Sequence, residues 1–109
     1  MTGTKAPKAW ELWYANVKYE DMDFYQDRLV LVVDTTDGIY ILALKVTSTP
    51  QRSEWGEYDI TKWKSAGLDN PSTVRCSHSL NLMQKDFRRK IGDLQFEDIS
   101  RIMDLIMNQ

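Results

Sequence analysis

A single cysteine, Cys76, stands among the 109 residues, so no internal disulfide can brace the fold, and the lone thiol suits a reducing compartment. Histidine is equally scarce. Cys76 and His78 together offer two ligands where a zinc shell needs four, and no third or fourth converges on them, so no metal or other cofactor is expected. No run approaches the roughly 18 consecutive apolar residues of a membrane span. The lysines near the start, Lys5 and Lys8, are followed by no apolar stretch of the kind a signal peptide carries. The expected location is the cytoplasm. Internal repeats and low-complexity tracts are absent. Neither sign of charge dominates: 14 basic against 16 acidic residues gives a net charge of -2. That balance argues against broad coating of a nucleic acid, so any contact with RNA must come from a local cluster of Arg and Lys.

Hydrophobic residues make up 42% and charged residues 28%, the composition of a globular chain with room for one core. Residues 1–9, rich in Thr, Lys and Pro, read as a loose leader, and 10–109 as one domain. A first strand is expected from Trp10 to Tyr19, with apolar side chains on both faces, an arrangement that implies cover from a loop or from a second copy. Glu20 to Asp27 reads as an acidic, aromatic loop. Leu29 to Val33 is a continuous apolar run, as in a strand buried on both faces. Asp37-Gly38 signals a hairpin turn, with the partner strand over Ile39 to Thr47. Asp59 is a fair N-cap and Gly67 a natural stop, so a short helical turn is expected between them. Further strands are expected over Ser72 to Ser77 and Phe87 to Gly92. Phe96, Ile99, Ile102, Met103 and Ile106 recur at three- and four-residue steps and make the tail an amphipathic helix. Antiparallel strands closing on a terminal helix indicate an α+β, mainly β domain.

Several segments, in order, resemble the MazF/PemK toxins. Ala66-Gly67-Leu68, Pro71-Ser72-Thr73-Val74-Arg75 and Lys90-Ile91-Gly92-Asp93-Leu94 before the final helix are similar to that family's C-terminal half. Arg28-Leu29-Val30-Leu31-Val32 looks like its Arg-Pro-x-Leu-Val strand, Val46-Thr47-Ser48 like its strand-end Thr-Ser pair, and Glu11-Leu12-Trp13 falls where its first strand begins. The resemblance covers the chain from about Trp10 onward. It implies a small SH3-like barrel, a homodimer, cleavage of single-stranded mRNA and neutralisation by a cognate antitoxin. Trp10 replaces a usual Gly and Leu29 a usual Pro. Ser77 stands where some members carry an aspartate that serves as base.

RNA brings its own nucleophile, the 2′-hydroxyl. Cleavage therefore needs a proton acceptor, a donor for the leaving 5′-oxygen and positive charge on the phosphorane, and it yields a 2′,3′-cyclic phosphate and a 5′-hydroxyl. The resemblance makes Arg28 and Arg75 the phosphate-binding catalytic candidates, since a guanidinium matches phosphate oxygens bidentately. Thr47 and Ser48 join them as possible hydrogen-bond donors. Strand alternation places Thr73, Arg75 and Ser77 on one face, where Thr73 and Ser77 could reach the same phosphate, and Val74, Cys76 and His78 on the other. Arg52 and Trp55 are substrate-binding candidates, Trp55 by stacking on a base. Arg88, Arg89, Lys90, Lys45, Lys62 and Lys64 are candidates for the basic field. Asp23 is a possible base, and the proton acceptor stays unassigned. Two alternatives stand beside this reading: a catalytically degenerate binding module for RNA or a protein tail, and a purely structural subunit.

Overall fold

Among the described residues six strands, a one-turn 3-10 helix at Gln84–Asp86 and one α-helix make up the fold: β1 Glu11–Lys18, β2 Tyr25–Asp34, β3 Ile41–Thr47, β4 Glu57–Asp59, β5 Thr73–Leu82, β6 Phe87–Asp93 and α1 Phe96–Met107. The computed structural model describes residues 6–18, 25–48 and 57–107, with the side chains of Ser77 and His78 outside that description. Every strand pair is antiparallel, in the order β4-β5-β3-β2-β1-β6. The fold is α+β and mainly β, as expected. No helix among the described residues is long and apolar enough to cross a membrane.

Alternation along the strands feeds two cores. On one face Leu12, Leu31, Leu44, Val46, Val74 and Cys76 meet Ile60, Ala66, Leu68, Leu94 and Ile102 from outside the sheet. The other face gathers Trp13, Ala15, Val17, Val30, Val32, Ile41, Ala43, Leu82 and Phe87. There Trp13 and Phe87 meet edge to face, centroids 5.8 Å apart. Both faces of β1 are thus covered within one chain, which removes two-faced apolarity as a reason to expect a second copy.

Several sequence-based bounds move. β2 begins at Tyr25, so the expected acidic loop gives up Tyr25, Gln26 and Asp27 to a strand. The Asp-Gly turn is not a tight two-residue hairpin: β2 ends at Asp34 and β3 starts at Ile41. Asp34 accepts the Thr36 N–H and hydroxyl, and Asp37 accepts the Ile39 and Tyr40 N–H groups, so two aspartates organise a longer loop. Gly38 does adopt φ of +91°.

The segment after β4 forms hydrogen-bonded turns over 61–67 rather than a helix, and Asp59 is a strand residue, not a cap. The cap comes from α1 instead. Asp98, fully buried, accepts hydrogen bonds from the Thr61 N–H and hydroxyl, the Lys62 N–H and the Tyr58 hydroxyl. Its inward position turns α1 so that Ile102 is buried and Ile99, Leu105 and Ile106 pack on the first core. Phe96 is 78% exposed and Met103 also faces out, so the expected stripe is rotated by about one position.

Gly67 and Gly92 lock the 61–67 turn onto β6. A Cβ on Gly92 would lie 1.8 Å from the Ala66 carbonyl oxygen, and one on Gly67, where φ is +97°, 2.8 Å from that of Ile91. Leu12 pairs with Gly92 but Trp13 with Lys90, so Ile91 sits in a bulge at this contact. The resemblance-bearing segments around Ala66-Gly67 and Ile91-Gly92 are therefore a packing device.

Candidate functional site

Directly paired residues in an antiparallel sheet project to the same side, so register decides which side chains share a face. Val30 pairs with Lys45, Lys45 with Arg75 and Arg75 with Glu57. One step along, Thr47 pairs with Thr73 and Thr73 with Asp59. Arg28, two residues before Val30 on β2, lies on this same side. The face of the second core is thus apolar over β1, β2 and the start of β3, and turns polar toward β4 and β5. Its polar end carries Arg28, Lys45, Thr47, Arg75, Thr73, Glu57 and Asp59.

Arg28 does not open a buried strand, as the sequence suggested. It is the fourth residue of β2, exposed, and paired with Ala15. Arg28 and Arg75 share a face across the intervening β3. Strand spacing of about 4.8 Å and a rise of about 3.3 Å per residue put their backbones roughly 12 Å apart, with Lys45 between the two strands. Arg75 donates from Nε to Glu57 Oε2 at 3.0 Å, and its side chain is 29% exposed. No hydrogen bond from its terminal Nη nitrogens is present among the described residues.

Thr47 and Ser48 separate. Thr47 belongs to the arginine face, whereas Ser48 lines a cleft of about 320 Å³ with Tyr14, Leu29, Ser72, Arg89 and Ile91. Tyr14 pairs with Leu29, whose neighbour Leu31 belongs to the first core, so this cleft opens on the opposite side. Thr73 is buried and donates its hydroxyl to Asp59 Oδ1 at 2.6 Å, a structural pairing rather than a free phosphate donor.

The alternation from which Ser77 was placed is interrupted in β5. Lys45 pairs with Arg75 but Leu44 with Ser79, so three residues of β5, 76 to 78, lie between consecutive partners on β3. Past Cys76, parity no longer says which side a residue faces. The side chains of Ser77 and His78, and all of Asp23, Arg52 and Trp55, lie outside the described residues. Cys76 is buried in the first core, and burial pushes its thiol pKa up, which disfavours a nucleophilic thiolate.

The basic run on β6 is largely spent on local partners. Lys90 contacts Glu11 and Asp93 at 3.1 Å each, Arg88 lies 3.5 Å from Asp27, and Arg89 sits over the Tyr14 ring at 5.4 Å. Lys64 stands over Trp63. Of the lysines proposed for a basic field, Lys45 is placed by register on the face of Arg28 and Arg75. Sequence reading passed over Glu57. Its signal was the alternation of Glu57 and Asp59, which matches that of Thr73 and Arg75 across the strand pair.

A six-stranded antiparallel sheet backed by a C-terminal helix, with Arg28, Lys45 and Arg75 at the polar end of one face, defines a small α+β domain. Its likeness is to MazF-type toxins. A Mycobacterium tuberculosis toxin, MazF-mt6, superposes with a TM-score of 0.69 at 22% identity, covering 90% of this chain and 93% of that one. An endoribonuclease in complex with its cognate antitoxin, from a mycobacterial species, gives 0.76 at 14% identity over 94% and 93%. A further Mtb toxin gives 0.69 at 20% over 89% and 97%. Neither a protein-family model nor a curated protein matches the sequence. The likeness is one of fold.

Proposed function

We infer that the chain is an endoribonuclease toxin that cleaves single-stranded RNA by attack of the 2′-hydroxyl on the adjacent phosphate. The observation that carries this reading is the shared face: Arg28, Lys45, Thr47 and Arg75, from three strands, occupy neighbouring positions on a fold like that of known endoribonuclease toxins. Attack transfers the 2′-hydroxyl proton to an acceptor, breaks the bond to the 5′-oxygen, which takes up a proton, and leaves a 2′,3′-cyclic phosphate. Arg75 and Arg28 stabilise the added negative charge, and Lys45 strengthens the local field. The chemistry requires no metal, because the nucleophile is the substrate's own. A homodimer and a cognate antitoxin belong to the same reading, the latter supported by the similar endoribonuclease solved with its antitoxin.

The test is cleavage of an end-labelled, unstructured RNA in EDTA. The products should carry cyclic-phosphate and 5′-hydroxyl ends, and Arg75→Ala or Arg28→Ala should slow cleavage by roughly a hundredfold with the fold retained. Undiminished cleavage in both variants would sink the site. The degenerate binding module is favoured by one observation, the absence of an aspartate at Ser77. Its signature is RNA binding with no cleavage by the unmodified chain.

A further inference from the structure

The Arg75–Glu57 pair is built in an unusual way. The two residues are direct partners across β4 and β5, and Glu57 Oε2 accepts from Arg75 Nε at 3.0 Å. The Glu57 side chain is only 5% exposed, and its second oxygen, Oε1, is buried with no hydrogen-bond partner among the described residues. A carboxylate in that condition costs the fold free energy, and an apolar side chain of similar size would serve packing as well or better. Stability alone gives no reason for a charge at this position. The geometry gives another reason. With Nε committed to Glu57, the guanidinium plane is fixed, and the terminal Nη edge remains as a fork of four N–H donors. Glu57 itself is too enclosed to meet an RNA 2′-hydroxyl, whereas Arg75 reaches the surface.

We propose that Glu57 is a positioning residue that locks the Arg75 guanidinium from behind, so that its Nη edge is held ready for the RNA phosphate on the face of Lys45 and Thr47. The role rests on the endoribonuclease reading and deepens it: part of the site's preorganisation comes from a buried carboxylate on the short strand β4. Holding the donor in place before the substrate arrives removes the reorganisation that an unanchored arginine would undergo during reaction.

Single-turnover cleavage of the same unstructured RNA, with enzyme in excess, tests this in the full chain. Glu57→Ala should slow the rate constant by roughly 10- to 100-fold, since misplacement of about 1 Å can cost 10²-fold. Glu57→Gln keeps an oxygen for Nε and should restore the rate to within about fivefold of the unmodified chain, as a positioning role demands. Combined with Arg75→Ala, Glu57→Ala should add no further loss, because both changes remove one unit. The thermal midpoint of Glu57→Leu, which fills the position with an apolar side chain of similar size, should come closer to that of the unmodified chain than the midpoint of Glu57→Ala does, and the rates are compared below the lowest midpoint. If Glu57→Ala does not fold, Glu57→Leu carries the same comparison with the strand position filled. Full activity in Glu57→Ala overturns the proposal, as does additional loss in the Arg75→Ala background. So does a Glu57→Gln variant as inactive as Glu57→Ala, which would mean that the carboxylate itself takes the proton. The unmodified chain controls for the underlying reading: no cleavage there defeats both, while the variant outcomes bear on Glu57 alone.

Discussion

Asp98 shows how much one buried side chain can decide. Burial by itself would push its carboxyl up, but the hydrogen bonds from Tyr58, Thr61 and Lys62 outweigh that and hold it below the ordinary aspartate range. A depressed carboxyl adds stability that is present above the unfolded value of about 4 and lost as pH falls through the lower folded value. Asp98→Ala should therefore cost about 3 kcal/mol in chemical denaturation at neutral pH, since it leaves two backbone N–H groups without their acceptor. The difference from the unmodified chain should shrink below about pH 4. Tyr58 titrates at the other end. Burial, and then the bond and charge of Asp98, push its phenol up to about 12. A raised value means stability present below about pH 10 and lost as pH climbs from there through about 12. Tyr58→Phe should remove that alkaline loss, read as a smaller drop in denaturation midpoint between pH 9 and 12 than the unmodified chain gives.

Residue identity in the sequence pointed to Arg28 and Arg75 but not to their surroundings. That Arg75 is paired through Nε depends on β4 lying beside β5, a contact between segments separated by the turns over 61–67. Asp98 sits at a helix position where an acid usually faces water, and only its tertiary partners reveal it as the cap of the 61–67 turns.

At the scale of elements, the strands and the terminal helix were legible because period-two and period-3.6 patterns are local properties. Registers and connections were not. The three-residue break in β5 between Arg75 and Ser79 leaves no local mark, so the parity argument for Ser77 ran past the point where it held. The closeness of Gly67 and Gly92 was equally hidden, although both glycines fell in segments that resembled the toxins. Gly92→Ala gives this contact a measurable weight. Its Cβ would meet backbone at the Ala66 carbonyl, and backbone cannot rotate aside as a flexible side chain could. The 61–67 turn must lift from β6, at a cost of about 3 kcal/mol, near the upper end for overpacking. In a domain of this size that lowers the thermal midpoint by roughly 12–20 °C. Gly38→Ala, with open space around its Cβ, should lose only about 1 kcal/mol from its positive φ.

The whole molecule carries a net charge of -2, and its cations are unevenly engaged. On β6, Lys90 and Arg88 meet neighbouring acids and on β5 Arg75 meets Glu57, while register sets Arg28, Lys45 and Arg75 together at the polar end of one face. On the proposed endoribonuclease reading, a chain so arranged grips a few phosphates at one place rather than holding RNA by general attraction. That distinction is readable from salt dependence, because each phosphate neutralised on a single strand adds about 0.7 to the slope of log affinity against log salt. Three cations predict a slope of about -2 for a short RNA with its cleavage-site 2′-hydroxyl removed, and Arg75→Ala should reduce it by about 0.7. Arg88→Ala, on the edge strand β6 with three strands between it and β5, should leave the slope where it was. A slope nearer -6, insensitive to Arg75 but falling with changes on β6, would place the RNA along the sheet edge and take the phosphate away from the face on which Arg28, Lys45 and Arg75 stand.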